Sequence, residues 1–198
     1  RVIGTAISEG LIGGVANGLA LNGFKPFAEF MFGDFTALAF DQMLNHSAKV
    51  YNMYNKKVTC PVVFRTPMGG GRGYGPTHSQ TLEKHYLGMD TFQICATNRF
   101  IDPNIILKNA YDRKHPSLII ENKVDYGKNA KLDIPEGYIA EISDEKLPSL
   151  IVKPLNQNAD TTIITYGGLA DVVINSINDY FYDHDSVVQV LVLTKIDP

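Results

Sequence analysis

What most constrains this chain is the alternation of short apolar runs with stretches of helical spacing. Residues 25–32 (KPFAEFMF), 60–67 (CPVVFRTP), 91–96 (TFQICA) and 117–120 (SLII) have strand length, are rich in β-branched or aromatic residues, and are bounded by turn formers. A glycine-notched apolar pattern at 7–23 precedes the first of them, behind an opening strand VIGTAI at 2–7. Asp34 can cap a second helix at 35–51, a short helix is expected from about Ser79, and another spans Pro103 to Asp112 with proline in its first turn. Such alternation predicts an α/β fold, a mostly parallel sheet with helices on both faces.

Composition narrows the class. The 198 residues are 44% apolar and 20% charged with a net charge of −3, which fits a globular chain able to bury a sizeable core. The densest basic group, Lys49, Lys56 and Lys57, is too sparse to track phosphates and argues against nucleic acid as a partner. Cys60 and Cys95 stand at the edges of apolar runs without CxxC spacing or companion ligands, so they read as buried free thiols and no metal site is expected. No run approaches the roughly 18 apolar residues of a membrane span, and no basic-then-apolar segment opens the chain. A cytoplasmic protein, or one of an organelle matrix in a eukaryote, is the expectation. Asn45-His46-Ser47 matches a glycosylation acceptor triplet but falls inside a helical pattern.

From residue 122 to 159 the periodicity gives way to polar, proline-spaced sequence, which reads as a linker with one short strand near Leu150. Beyond it TTIITYGG, an amphipathic helix from about Leu169 to Tyr182, and SVVQVLVLTKI make a β-α-β unit. Such a unit, roughly 40 residues, is too small for an adequate core. The expected division is therefore a first domain at 1–121 whose N-terminal part precedes Arg1, a linker at 122–159, and at 160–198 the start of an incomplete second α/β domain.

The glycine-rich stretch Met68-Gly69-Gly70-Gly71-Arg72-Gly73-Tyr74-Gly75 matches neither G-x-x-x-x-G-K-[ST] nor G-x-G-x-x-G before a long helix. As a loop it leaves the C-terminal end of a strand, the edge at which open α/β sheets bind ligands, and it ends in His78-Ser79-Gln80. His78 is thus a better catalytic candidate than His46, His85, His115 or His184, which lack such a setting. Glu9 is the second candidate. By itself it is a carboxylate in a first helical turn behind a Ser8 cap, favoured by the helix dipole by roughly 0.3–1 kcal/mol. Gly14 and Gly18, four apart on one helical face, let another helix approach closely and would leave a carboxylate at the head of that seam partly desolvated.

The spacing E-x4-G-Φ-x-x-G-Φ from Glu9 through Gly14 and Gly18, with Φ apolar, resembles the motif of the pyrimidine-binding domain in multisubunit thiamine-diphosphate enzymes. Together with RVIGTAISE, GLALNGFKPFAEFMFGDFTALAFDQMLNHSAKVYNMY, CPVVFRTPMGGGRGYGPTHSQTLE and SLIIENKVDYG, it makes residues 1–127 similar to the β subunit of 2-oxo acid dehydrogenase E1 components. DTTIITYGG resembles the start of that family's transketolase-like C-terminal domain. The resemblance implies decarboxylation of a 2-oxo acid and transfer of the acyl group to lipoamide. It implies that Glu9 hydrogen-bonds N1′ of the aminopyrimidine, that Met31 and Phe35 pack against that ring, and that His78 assists at the substrate carbonyl or in acyl transfer. The superfamily's GDG…N motif is absent, since Gly33-Asp34 is followed by Phe35. The diphosphate and Mg2+ half of the site is therefore expected on an E1 α subunit or α-like half. Arg113 and His115 fall where some relatives hold potassium, and basic side chains there argue against that ion. A lipoyl-bearing E2 is a further implied partner, and α2β2 or a dimer is the implied assembly, with Gly14 and Gly18 at the interface.

Two other readings stay open. One is the pyrimidine domain of another transketolase-type enzyme, a deoxyxylulose phosphate synthase or a transketolase, from which HSQ and the DQ-x-x-N-x-x-x-K pattern at Asp41 to Lys49 point away. The other is a non-catalytic assembly module that pairs through the Gly14/Gly18 face.

Overall fold

The computed structural model describes residues 1–129 and 133–197. The apolar runs form β1 (Phe27–Glu29), β2 (Val63–Pro67), β3 (Gln93–Ala96) and β4 (Ser117–Glu121), all parallel, in the order β1-β2-β4-β3. Val63 sits in register with Phe27 on one side and Ser117 on the other. The two-residue period of a strand sends Phe64, Ile94 and Leu118 into one core and Val63, Cys95 and Ile119 into another. α1 (Glu9–Leu21) and an irregular helical run ending in α2 (Val50–Met53) cover the first face, and α3 (Pro103–Asp112) brings Ile106 and Ala110 to the second. Full burial of such side chains stabilises by roughly 1.5–3 kcal/mol each. α3 starts where sequence predicts, because Asp102 accepts from Asn104 N at 2.9 Å and Pro103 occupies a position that needs no N–H.

The helix expected at 35–51 is not regularly wound. It is a 3-10 helix over Gly33–Ala39, a π-helix over Gln42–Ser47 and then α2. The cause lies on α1, where Gly13 lets Gln42 in so closely that a Cβ on Gly13 would stand 3.0 Å from Gln42 Cβ. Asn17 Nδ2 donates to the Gln42 carbonyl at 2.9 Å, and Ser47 Oγ, 3.0 Å from the same carbonyl, shares its one proton between it and Asn17 Oδ1. A π turn removes that carbonyl from i,i+4 pairing, and these side chains meet its hydrogen-bonding capacity.

The second sheet comprises β5 (Tyr138–Ile142), β6 (Leu150–Pro154), β7 (Thr161–Tyr166) and β8 (Val188–Leu193), ordered β5-β6-β8-β7. β7 and β8 are parallel and the other pairs antiparallel. α4 (Leu169–Asn175) and α5 (Ile177–His184) bring Ala170, Ile174 and Ile177 onto Leu150, Val152, Val188, Val190 and Val192. The stretch 122–159, read from sequence as a linker, thus supplies two strands of this sheet. β6 is the strand foreseen near Leu150, whereas β5 is an edge strand without fully buried residues, so its sequence carries no clear alternation.

Other expectations change in detail. The single helix expected at 169–182 is broken at Ser176, whose hydroxyl donates back to the Val172 carbonyl at 2.9 Å. The opening stretch 2–7 forms no strand among the described residues; it has no neighbour to pair with, and Val2 and Ile7 are 99% and 93% exposed. The helix expected from Ser79 is a single 3-10 turn at Glu83–His85. Ser8 holds the N-cap position of α1, but its side chain makes no capping bond and its carbonyl accepts from Ile12 N. No helix of the described residues is long and apolar enough to cross a membrane.

The two sheets are joined by the chain beyond β8, which runs antiparallel beside β3: Ala96 N donates to the Thr194 carbonyl at 2.8 Å and Ile196 N to Ile94 at 3.0 Å. Across the same seam Tyr166 donates its hydroxyl to Glu83 at 2.6 Å, and Arg99 and Lys128 bind Asp171. Asn122 fills the notch left by Gly168, where a Cβ would lie 1.8 Å from Asn122 Nδ2.

Candidate functional site

The C-terminal ends of β1, β2 and β4 open on one side of the first sheet, and each delivers residues to a common cluster. Phe32, which follows β1, is its hub. Its ring meets the edges of His78 at 4.6 Å, Tyr74 at 5.5 Å and Phe35 at 5.8 Å. His78 also meets Phe35 at 5.3 Å. Lys123, just past β4, holds Nζ 4.4 Å from the Phe32 centroid, and the Arg72 guanidinium lies 5.7 Å from it. Edge-to-face pairs of this kind add about 0.5–1.5 kcal/mol each beyond area burial.

The loop that presents His78 turns on Gly69, Gly71, Gly73 and Gly75, whose φ values of +91°, +76°, +75° and +72° suit only glycine at low cost. Arg72 Nη2 ties the loop by donating to the carbonyls of Gly69 and His78, each at 2.8 Å. Gln80 anchors its far end through Nε2, which donates to Asp34 Oδ1 at 2.7 Å. Thr77 Oγ1 lies 2.8 Å from His78 Nδ1, and among the described residues Nε2 has no partner. Phe32, Tyr74, Arg72 and Lys123 are functional candidates that sequence reasoning missed. The arginine and tyrosine between glycine joints were a visible signal, but Phe32 and Lys123 join them only through the sheet.

Glu9 is the first residue of α1 and is 8% exposed, yet no hydrogen-bond donor among the described residues reaches its carboxylate. The head of α1 abuts the turn that bears Phe35, with the Leu38 carbonyl 3.4 Å from where a Cβ on Gly10 would stand. The four residues singled out for cofactor and chemistry therefore separate: Phe35 and His78 touch, Met31 is 65% exposed, and no hydrogen bond or ion pair links Glu9 to His78. The glycine face also divides. Gly13 makes the close approach within the chain, Gly14 stands 3.3 Å from Gln42 Oε1 by the same Cβ measure, and Gly18 is exposed with nothing within 4 Å. Leu11 and Val15 are exposed beside it.

Below the cluster the sheet ends are clamped by charge. Arg65 donates to the buried Glu121 at 2.9 and 3.1 Å and lies 3.5 Å from Glu29, while Tyr126 donates its hydroxyl to Glu121. Burial and then the Glu121 hydrogen bond push the Tyr126 phenol well above its ordinary range. At the other end of the sheet Arg113 Nη2 donates to the Thr91 carbonyl at 2.9 Å, and burial lowers its pKa. His115 meets the Tyr51 ring at 4.7 Å, with its pKa lowered by burial first and the Arg113 charge second.

The transketolase pyrimidine-binding-domain model matches residues 1–128. The pyruvate dehydrogenase E1 component subunit beta of Rickettsia conorii is 30% identical over 199 residues, covering 100% of this chain and 58% of that protein. The 2-oxoisovalerate dehydrogenase subunit beta of Bacillus subtilis is 32% identical over 167 residues, 84% of this chain and 49% of that one. The chain thus spans about half the length of the curated relatives it matches. Among solved structures, a split-gene transketolase in an inactive β4 tetramer superposes with a TM-score of 0.64 at 19% identity, over 99% of this chain and 58% of its own. Transketolase from Leishmania mexicana superposes at 0.64 with 15% identity, over 94% of this chain and 26% of its own, a likeness of fold. With the fold matched and the family model running through β4 and the residues just past it, the chain belongs to the transketolase pyrimidine-binding-domain family.

Proposed function

We propose that this chain is the β-type, pyrimidine-binding part of a thiamine-diphosphate-dependent 2-oxo acid dehydrogenase E1. The observation that carries the reading is Glu9, a largely buried residue at a helix start whose carboxylate its own chain leaves without a donor. Its oxygens are not among the buried unpartnered atoms, so an incoming donor can reach them, and a protonated ring nitrogen of an aminopyrimidine is a donor that fits. The names of the relatives, E1 component and 2-oxo acid dehydrogenase β subunits, support the same reading.

The residues present suit the pyrimidine half of thiamine diphosphate, with Glu9 for the ring nitrogen and Phe35 and Met31 for the ring face. When bound, that cofactor supplies the nucleophilic carbon and the electron sink for decarboxylation of a 2-oxo acid. Glu9 holds or releases a proton at the ring nitrogen. His78, with Nδ1 engaged by Thr77, has Nε2 free to exchange a proton at the substrate carbonyl, and the edges of Phe32 and Phe35 fix its ring plane. Arg72 and Gln80 keep the loop in position.

The diphosphate and Mg2+ half belongs, in this reading, to an E1 α subunit or α-like half, because Phe35 stands where the second glycine of GDG would be needed. The exposed face with Leu11, Val15 and Gly18, bordered by the half-buried Gly14, is its pairing surface in a dimer or α2β2 assembly. A lipoyl-bearing E2 accepts the acyl group, in the cytoplasm or an organelle matrix, and Arg113 with His115 makes potassium unnecessary. The test uses the full-length protein with its α-type partner. Thiamine-diphosphate-dependent decarboxylation of pyruvate or a branched-chain 2-oxo acid is expected, and Glu9→Gln should lower kcat by about 100-fold or more. Full activity in that variant would overturn the role given to Glu9.

A further inference from the structure

Lys123 and Arg72 both lie against the Phe32 ring, and among the described residues neither is ion-paired. Arg72 engages the protein through one nitrogen only. Nη2 donates to the Gly69 and His78 carbonyls, while Nε and Nη1 are buried without an acceptor. Asp34, the acid tied to this loop, gives Oδ1 to Gln80, and its Oδ2 is buried without a partner. Buried N–H groups without acceptors are costly, and an anion that accepts from the free edge of Arg72 relieves that cost, with the Lys123 charge on the same ring adding to the attraction.

We infer that Arg72 and Lys123 form a receptor for an anionic group on the side chain of the substrate, an inference that rests on the 2-oxo acid reading above. The carboxylate that leaves is not that group. Its charge is lost as CO2 departs, so a cation bound to it would stabilise the bound acid more than the transition state. A carboxylate or phosphoryl group beyond the 2-oxo carbon keeps its charge throughout, and a cationic receptor can hold it at no cost to the chemical step. The position fits: the two cations share their aromatic support with His78, the group assigned to the substrate carbonyl. Glycine joints at Gly69, Gly71, Gly73 and Gly75 let the Arg72 segment turn its unpaired edge toward such a group. The preferred substrate is then an acidic 2-oxo acid.

The test is a substrate series on the full-length protein with its α-type partner and thiamine diphosphate. 2-Oxopentanedioate carries the distal charge, and 2-oxopentanoate matches it in chain length without that charge. 3-Phosphonopyruvate distinguishes a phosphoryl group from a carboxylate. The expected kcat/KM for the better anionic substrate exceeds that for 2-oxopentanoate by about tenfold or more, mainly through KM. Lys123→Met and Arg72→Gln should each shrink that ratio by about tenfold. Arg72 also ties the loop, so Lys123→Met, which breaks no hydrogen bond, provides the independent arm. Equal use of charged and neutral 2-oxo acids, or a ratio untouched by Lys123→Met, overturns the receptor while leaving the 2-oxo acid reading standing. Absence of turnover of every 2-oxo acid overturns that reading and the receptor with it.

Discussion

Asn17 reaches from α1 to the backbone carbonyl of Gln42, 2.9 Å away, and through Oδ1 accepts from Ser47 Oγ at 2.6 Å. One buried amide thus serves both ends of the π-wound turn, with Cys60 Sγ 3.6 Å from the same oxygen. Truncation leaves buried polar groups with fewer partners, at about 1–3 kcal/mol for each one orphaned. Asn17→Ala should therefore unfold at a clearly lower urea concentration than the wild type. An unchanged midpoint would mean that the turn keeps its winding without Asn17.

The glycines of α1 make opposite predictions. A methyl on Gly13 would meet Gln42 Cβ at 3.0 Å and Ala39 Cβ at 3.6 Å, and overpacking of this kind costs about 1–3 kcal/mol. Gly18 meets nothing within 4 Å, so Gly18→Ala should raise monomer stability by up to about 1 kcal/mol through helix propensity. If the Leu11/Val15 face pairs through Gly18, the same variant weakens association in sedimentation while its melting temperature rises. Undiminished association in Gly18→Ala counts against Gly18 as an interface residue.

These positions also mark what the sequence conveyed. β2, β4 and α3 were legible because their signals are local: a buried apolar run shows itself by length, and Asp102-Pro103 announces a helix start. The inward stripe of α1, namely Glu9, Gly13, Ala16, Asn17 and Ala20, was not, because the helix is apolar or small on nearly every side and its period is blurred. Reading the glycine spacing pointed to Gly14 and Gly18, whereas the tightest approach on α1 is at Gly13, with Gly14 also against Gln42 and Gly18 in open space. The 3-10 and π winding of 33–47 could not be read locally, since its cause sits on another helix. The same holds for the site. His78 and Phe35 were singled out by motif, but their hub Phe32 and the cations over it are assembled by the parallel order of β1, β2 and β4.

Both cysteines should be inert in the native protein. Burial pushes the Cys60 thiol up to about 11 and, aided by the Asp197 charge, the Cys95 thiol up to about 12. The thiolate is the nucleophile, so at pH 8 only about one Cys60 in a thousand is reactive even before steric protection. Iodoacetamide at pH 8 should leave the folded chain unlabelled for a time that fully labels it in urea. The raised values also stabilise the fold below the unfolded thiol pKa of about 8.5, an advantage lost as pH rises through the folded values. Rapid native labelling at pH 8 would reveal frequent opening of the core around β3.

The seam between the sheets should weaken in acid. Burial alone would raise the Asp171 pKa, but hydrogen bonds from Lys128 and Arg99, together with their charges, hold it below the ordinary carboxylate value. A depressed folded pKa means that the contribution is complete above the unfolded value, about 3.9, and is lost as pH falls through the folded one. Arg99 follows β3 and Lys128 follows β4, whereas Asp171 rides on α4, so protonation loosens the docking of the second sheet on the first. Asp171→Asn should be less stable than wild type at pH 7, with a shallower loss of stability between about pH 5 and pH 3. Amide exchange in β7 and α4 should rise in the wild type over that acid range and be raised already at pH 7 in the variant. Parallel acid curves for the two proteins would show that this clasp does not couple the sheets.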